Sequence, residues 1–382
     1  MTTVTSVSDI KAYFANTDTP YYFISASNFN LMNLEQWVKN WKNVNFINCY
    51  DGSNPSVFVP STSGTPVLDS IESINSFLLG HKQVVEDIQA SGIDSDNHGK
   101  AIFLFFDEEI EKVCDSLNID ICLPPNKLVK QIDNKITTTE IGNEAGVASV
   151  PNALESVDSY ATLMEIAKQN NLGESLVVQT AYGDSGKTTF FISDEADYDA
   201  VADQIVCEEK VKIMKCIRCA GTAIEGCATR AGTFVAPLLT ELIGFEELTP
   251  YRGGWCGNEL YQQAFSDDVR ASASKMTENL GDALYSRGYR GYFEVDYLID
   301  LDTGELYLGE LNPRITGISA MTNMSDYAYD SIPLFLFHLL EYSDVTIAMD
   351  PAEYNQTSLT KGANTVSSQI ILKYTNPTIL CF

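Results

Sequence analysis

Short apolar runs and stretches with helical spacing alternate along this chain, and Pro124-Pro125 punctuates it. Over the first 125 residues, short apolar runs are separated by stretches with helical spacing. Tyr21-Tyr-Phe-Ile-Ser-Ala26 predicts a buried strand, residues 31–41 a helical segment, and Val44-Asn-Phe-Ile-Asn-Cys-Tyr50 a second strand. A Ser-, Pro- and Gly-rich loop covers 51–65, and helices are expected at 67–79 and 81–90. Ala101-Ile-Phe-Leu-Phe-Phe106 is the most apolar short run and predicts a central strand, followed by a helix over 108–117 and a strand over 119–123. Residues 1–20 are polar, frayed or a short leading helix. Strand–helix alternation of this kind argues for a parallel sheet with helices packed on it. Residues 1–125 therefore read as a Rossmann-like α/β domain, although no G-x-G-x-x-G follows its first strand and no dinucleotide site is assigned.

Past Pro124-Pro125 the pattern becomes α+β. A helix spans 133–146, with Gly146 at its C-cap. Glu174-Ser-Leu-Val-Val-Gln-Thr180 and Thr189-Phe-Phe-Ile-Ser193 are strands around Ala181-Tyr-Gly-Asp-Ser-Gly-Lys-Thr188. That middle piece nearly matches a Walker A loop, with Ala181 in place of the first glycine. A P-loop must open a helix, and here a β-branched, aromatic segment follows, so the piece reads as a hairpin loop. Its glycines, Gly183 and Gly186, would let backbone N–H groups approach a phosphate closely. A further hairpin is expected over 222–236, turning at Ala231-Gly232. Residues 250–259, Pro-Tyr-Arg-Gly-Gly-Trp-Cys-Gly-Asn-Glu, form either a tight connection or a substrate-facing loop; the second assignment makes Arg252, Trp255 and Asn258 substrate residues. An amphipathic helix over 267–287 ends at Gly288 and leads into a last hairpin. Pro333 to Leu340 is an apolar helix with His338 in the core, and 367–373 is a final strand.

The last hairpin carries the densest chemistry. Gly291-Tyr-Phe-Glu-Val-Asp-Tyr-Leu-Ile-Asp300 and Glu305-Leu-Tyr-Leu-Gly-Glu-Leu-Asn-Pro-Arg314 flank the turn residues Asp302-Thr-Gly304. Side chains alternate along a strand, so Glu294 and Asp296 share a face, as do Glu310 and Asn312. With the turn centred near Asp302, Glu294 is expected directly opposite Glu310. Facing carboxylates repel, and a hard cation such as Mg²⁺ resolves the conflict with carboxylate and amide oxygens as ligands. Arg314 stands beside that set.

Composition narrows the partners. The chain has 382 residues and suits two or three subdomains. Its net charge of −28 argues against nucleic acid or an anionic membrane as partner. The N-terminus lacks the layout of a signal peptide, no apolar run is long enough to span a bilayer, and the nine scattered cysteines suit reduced thiols in the cytoplasm. Cys216-x-x-Cys219 has no second pair at zinc spacing, so zinc is not expected.

Phe-Glu-Val-Asp, a hairpin and Gly-Glu-Leu-Asn-Pro-Arg together resemble the metal-binding end of ATP-grasp enzymes, in the biotin carboxylase and carbamoyl phosphate synthetase branch. The resemblance covers roughly 125–345 and implies a Rossmann-like domain (1–125), a lid subdomain with a Gly-rich loop (126–207) and a catalytic subdomain (208–382). It implies ATP held between two α+β subdomains, with Mg²⁺, or Mn²⁺ in its place, on Glu294, Glu310 and Asn312. It puts Lys135, on a helix similar to the family's Asp-Lys helix, and Lys187 at the phosphates, with Gly183, Ser185 and Gly186 in the lid loop. Lys215, Cys216 and Ile217 take the adenine-binding hinge. Two departures stand out: Gln179 replaces a nucleotide-binding lysine, and Lys215 stands where an acidic side chain belongs.

The implied reaction is ADP-forming ligation: a carboxylate is activated as an acyl phosphate for attack by an amine, with Arg314 and Lys187 as catalytic cations. One alternative is bicarbonate activation, with biotin or ammonia as acceptor. Against it, the stretch after Arg314 has no acid before Asp326, where biotin carboxylases place a glutamate base, and no biotin-attachment motif is present. The other alternative is a nucleotide-binding protein without turnover, for which Gln179, Lys215 and a C-terminus shorter than in relatives speak. Small-molecule substrates are the expected partners, and a homodimer is compatible with the sequence.

Overall fold

The computed structural model describes residues 2–49, 53–61, 68–183, 188–251, 254–325, 328, 331–361 and 366–373. Its first layer is a five-stranded, all-parallel sheet in the order Val57–Phe58, Trp41–Asn45, Tyr21–Ser25, Gly99–Phe103, Ile119–Ile121. Helices Ile71–Gly80, Lys82–Ala90 and Glu108–Ser116 cover one face through Tyr22, Ile24, Ala101 and Phe103. The alternate residues Tyr21, Phe23 and Ile102 pack on the other face against Phe335 and Leu339 of the C-terminal helix Phe335–Glu341. Both faces are buried, which is why these strands read as unbroken apolar runs.

Two local expectations give way. Residues 31–41 form no α-helix, because Asn33 takes a left-handed conformation (φ +66°) between two short 3₁₀ turns. The second strand accordingly starts at Trp41 and ends at Asn45, ahead of the expected 44–50.

A four-stranded antiparallel sheet follows, in the order Asn152–Glu155, Val211–Lys215, Leu176–Gln179, Thr189–Ile192. It has its own core, including Val178, Ile192, Val211 and Ile213. Val211–Lys215 is an inner strand here, so this sheet extends past residue 207. The third and largest sheet has seven strands and contains the hairpin Gly291–Asp300 and Leu306–Asn312, paired to the long strand Cys219–Thr229. One of its faces packs Phe293, Val295 and Tyr297 against Ala273, Leu280 and Leu284 of the 20-residue helix Asp267–Ser286. Among the described residues, no helix is long and apolar enough to cross a membrane.

Candidate active site between the two antiparallel sheets

The hairpin register differs from the expected one. Glu294 lies opposite Asn312, and Asp296 lies opposite Glu310. Two features move the pairing. The turn is longer, closed by Asp300 N–H to the Glu305 carbonyl at 2.9 Å, with Asp300 Oδ1 accepting from the Asp302 and Thr303 amides. A bulge then inserts Gly309 between Asp296 and Tyr297. Glycine suits it, because a Cβ there would sit 3.0 Å from the Asp296 carbonyl.

All four polar residues still share one face, and the neighbouring strands extend the set. Glu225 is directly across from Glu294, and Glu241 lies next to Gly221 on the adjoining strand. Sequence reasoning missed both, since a single acid in a strand gives no signal until the sheet order is known. Burial drives these carboxyls toward their neutral forms. It raises Asp296 to about 6 and Glu225 to about 7, and it pushes Glu294 and Glu241 well up with help from neighbouring acids. Glu225 is held by the Tyr292 hydroxyl and by Ser319 Oγ at 2.6 Å.

Asn312 donates to Glu294 Oε2 at 2.6 Å, while its own Oδ1 accepts from Arg314 at 3.0 Å. Glu294 Oε1 is buried without a hydrogen-bond partner. Among the described residues no three acidic, His or Cys side chains already converge on one point. The orphaned Glu294 oxygen and the hard-oxygen donors of Glu294, Glu310 and Asn312 nevertheless fit a Mg²⁺-type ion.

Opposite this acidic face lies Lys135, at the start of helix Lys135–Glu144 behind the Asn134 N-cap. Its ammonium donates to Glu310 Oε1 at 2.6 Å and to the Gly183 carbonyl at 3.1 Å. Its amide bonds the Ala181 carbonyl at 2.8 Å. One lysine thus ties the acidic hairpin to the Gly-rich loop. Gln179 donates to Thr189 Oγ1 at 3.1 Å, and its Oε1 is buried and unpartnered. Lys215 is exposed at its strand end, and the Lys215 and Cys216 amides are engaged by the Pro151 and Ser175 carbonyls. Ile217 follows half-buried. Ser185, Gly186, Lys187 and Arg252 lie outside the described residues.

Trp255 and Asn258 are brought together, but with each other: Trp255 Nε1 donates to Asn258 Oδ1 at 2.7 Å, and Asn258 Nδ2 donates to the Thr240 carbonyl at 3.0 Å. Asn258 is fully buried, and the Trp255 ring packs on Gly317 in the loop after Arg314. Trp255 therefore braces that loop, and Asn258 holds its indole in place.

Arg314 stacks over Phe105 at 4.9 Å and lines a cleft of about 240 Å³ with Asn126, Lys130, Asp133 and Pro313. The cleft lies beyond the carboxyl ends of the parallel strands, the usual place for a ligand in such a sheet. Burial raises the Asp133 carboxyl, partly offset by Arg314.

No family model and no curated protein matches this chain. Solved structures do. Carboxyaminoimidazole ribonucleotide synthase from Aspergillus clavatus, complexed with ATP, aligns over 86% of this chain and 78% of its own, at 14% identity and TM-score 0.55. The biotin carboxylase domain of Hydrogenobacter thermophilus 2-oxoglutarate carboxylase, in complex with MgADP and bicarbonate, aligns over 86% and 70%, at 12% identity and TM-score 0.59. Campylobacter jejuni biotin carboxylase aligns over 85% and 71%, at 14% identity and TM-score 0.58. The chain has the ATP-grasp fold. At these identities the likeness is one of fold, and it agrees with the expectation drawn from the hairpin.

Proposed function

We propose that this protein is an ATP- and Mg²⁺-dependent, ADP-forming ligase that activates a carboxylate as an acyl phosphate for attack by an amine. The observation that carries this reading is Lys135, which bridges the Glu310 carboxylate and the Gly183 carbonyl across the cleft between lid and metal hairpin. Phosphates entering there meet Lys135, the backbone around Gly183, Ser185 and Gly186, and Lys187. The base lies along Lys215, Cys216 and Ile217, with Gln179 near the phosphates. Glu294, Glu310 and Asn312 would hold Mg²⁺, which supplies neutralisation of phosphate charge.

Phosphoryl transfer needs positioning and charge neutralisation more than a protein nucleophile. The carboxylate sits in the cleft beside Arg314, where the guanidinium orients it and offsets the charge of the acyl phosphate. One carboxylate oxygen bonds to the γ-phosphorus and the bond to ADP breaks. The amine then attacks the carbonyl, and phosphate leaves with that oxygen and the amine's proton. Arg252 is proposed to meet substrate from its loop.

A second reading, with bicarbonate as the carboxylate, is supported by the bicarbonate bound in the H. thermophilus domain. Heavy-oxygen label in the carboxylate separates the mechanisms. Labelled inorganic phosphate with ADP is expected, whereas label in AMP would contradict it, and ADP formed with bicarbonate alone would favour the second reading. The divisions 1–125, 126–207 and 208–382 are proposed as working units, with the lid strand Val211–Lys215 returning to the middle one. We also place the protein in the cytoplasm, in keeping with eight described cysteines that are all free thiols, and propose a homodimer by analogy with the H. thermophilus domain.

A further inference from the structure

The lid strand Val211–Lys215 alternates, with Val211 and Ile213 buried in the lid core. Lys212 and Met214 therefore point the other way, toward the cleft. Lys212 is 1% exposed, yet among the described residues no carboxylate pairs with it. Among the described residues its ammonium has one partner, Ser149 Oγ at 3.2 Å. Ser149 bridges Leu308 of the metal hairpin, so this ammonium lies at the seam of the two antiparallel sheets. Its charged neighbours are Glu310 and Lys135, and Glu310 is already bound to Lys135 at 2.6 Å. Around Lys212 itself the charged groups are thus two ammoniums, its own and that of Lys135, and the one carboxylate of Glu310. Directly across the ladder is Gln179, whose Oε1 is buried and unpartnered.

A buried ammonium facing only a hydroxyl is a poor structural element, because its desolvation is not offset by an opposite charge. It makes sense when an anion completes it. We infer that Lys212 is a phosphate-binding residue that contacts the terminal phosphates of the nucleotide and supplies, from the neighbouring strand, the cation that Gln179 does not. The inference rests on the nucleotide reading above. Burial lowers the Lys212 ammonium to about 8, close enough to neutrality for a bound polyphosphate to strengthen its charge.

The test titrates the full chain calorimetrically with Mg-ATP, adenosine and inorganic tripolyphosphate, in the wild type, in Lys212→Met and in Lys212→Met/Gln179→Lys. Lys212→Met is expected to lose about 10- to 100-fold in ATP affinity, the range for a hydrogen bond to a charged group. Its adenosine affinity should be unchanged, and its unliganded melting temperature should be equal or higher, since an unpaired buried charge has gone. Moving the cation across the ladder in the double variant should restore ATP binding. ATP affinity equal to wild type in Lys212→Met would overturn the inference and leave the nucleotide reading standing. A lower melting temperature with unrestored binding in the double variant would also overturn it, as the mark of a structural lysine. If the wild type binds tripolyphosphate but not ATP, and Lys212→Met abolishes that, the phosphate site stands and the nucleotide reading falls. Wild-type protein that binds neither ligand removes both.

Discussion

The two antiparallel sheets meet across one cleft with opposite chemistry. The four-stranded sheet turns Lys212, Gln179 and Met214 toward it, without an acid among them. The seven-stranded sheet turns Glu225, Glu241, Glu294, Asp296 and Glu310 the same way. Burial acts on both and pushes each toward neutrality: Lys212 falls to about 8, and Asp296 and Glu225 rise to about 6 and 7. Neither surface is electrostatically complete. Lys135 is the direct bridge, and it satisfies only Glu310. A ligand carrying both polyphosphate and a divalent cation would complete both at once, which is what the difference between the sheets teaches.

The strongest way to break this comparison is to remove the acidic side. Glu294→Ala and Glu310→Ala should each weaken Mg-ATP binding on the order of 100-fold or more, the scale of a lost charged ligand contact. Unchanged affinity in both variants, measured by calorimetry with magnesium present, would remove the metal assignment.

A second test concerns what holds the acidic sheet in place. His338 pins it to the parallel sheet: Nδ1 accepts from the Tyr292 amide at 3.0 Å, so Nε2 carries the proton and donates to the Cys122 carbonyl at 2.7 Å. Among the described residues the four-stranded sheet has no such latch to that sheet, and it keeps a separate core. Burial lowers His338 from 6.5 to about 4. The folded state therefore keeps it neutral where the unfolded chain would protonate. This stability is fully present above pH 6.5 and is lost as the pH falls toward 4, about 3 kcal/mol over the window. Denaturant melts across that range should show the acid slope in the wild type and a flatter one in His338→Gln. Equal slopes would mean the latch does not titrate.

The smallest effect sharpens the lid side. Gln179→Lys sets a second ammonium opposite Lys212, so the gain from added charge is opposed by like-charge repulsion. ATP affinity should rise or hold, with a change below about fivefold. A large loss would show that the Gln179 amide makes a contact of its own with the nucleotide.

Much of this was legible in the chain. Turn residues between two β-rich arms give the acidic hairpin, and strand–helix alternation gives the parallel sheet. What the sequence hid depends on pairing. The longer turn and the Gly309 bulge move the register, so Glu294 meets Asn312 and Glu310 meets Asp296. Lys212 in Val-Lys-Ile-Met looks like a solvated alternate of a surface strand until a second sheet covers it. Glu225 becomes a site neighbour only because its strand pairs with 291–300. Local composition carries none of these facts.

The central claim is that the cleft between these sheets holds a metal–nucleotide complex. Titrating the wild-type chain with ATP, first with Mg²⁺ and then with the magnesium chelated, tests it most directly. The account predicts saturable binding with magnesium and a loss of most of that affinity without it. Equal ATP affinity with and without a divalent cation, or no binding when magnesium is present, would contradict it.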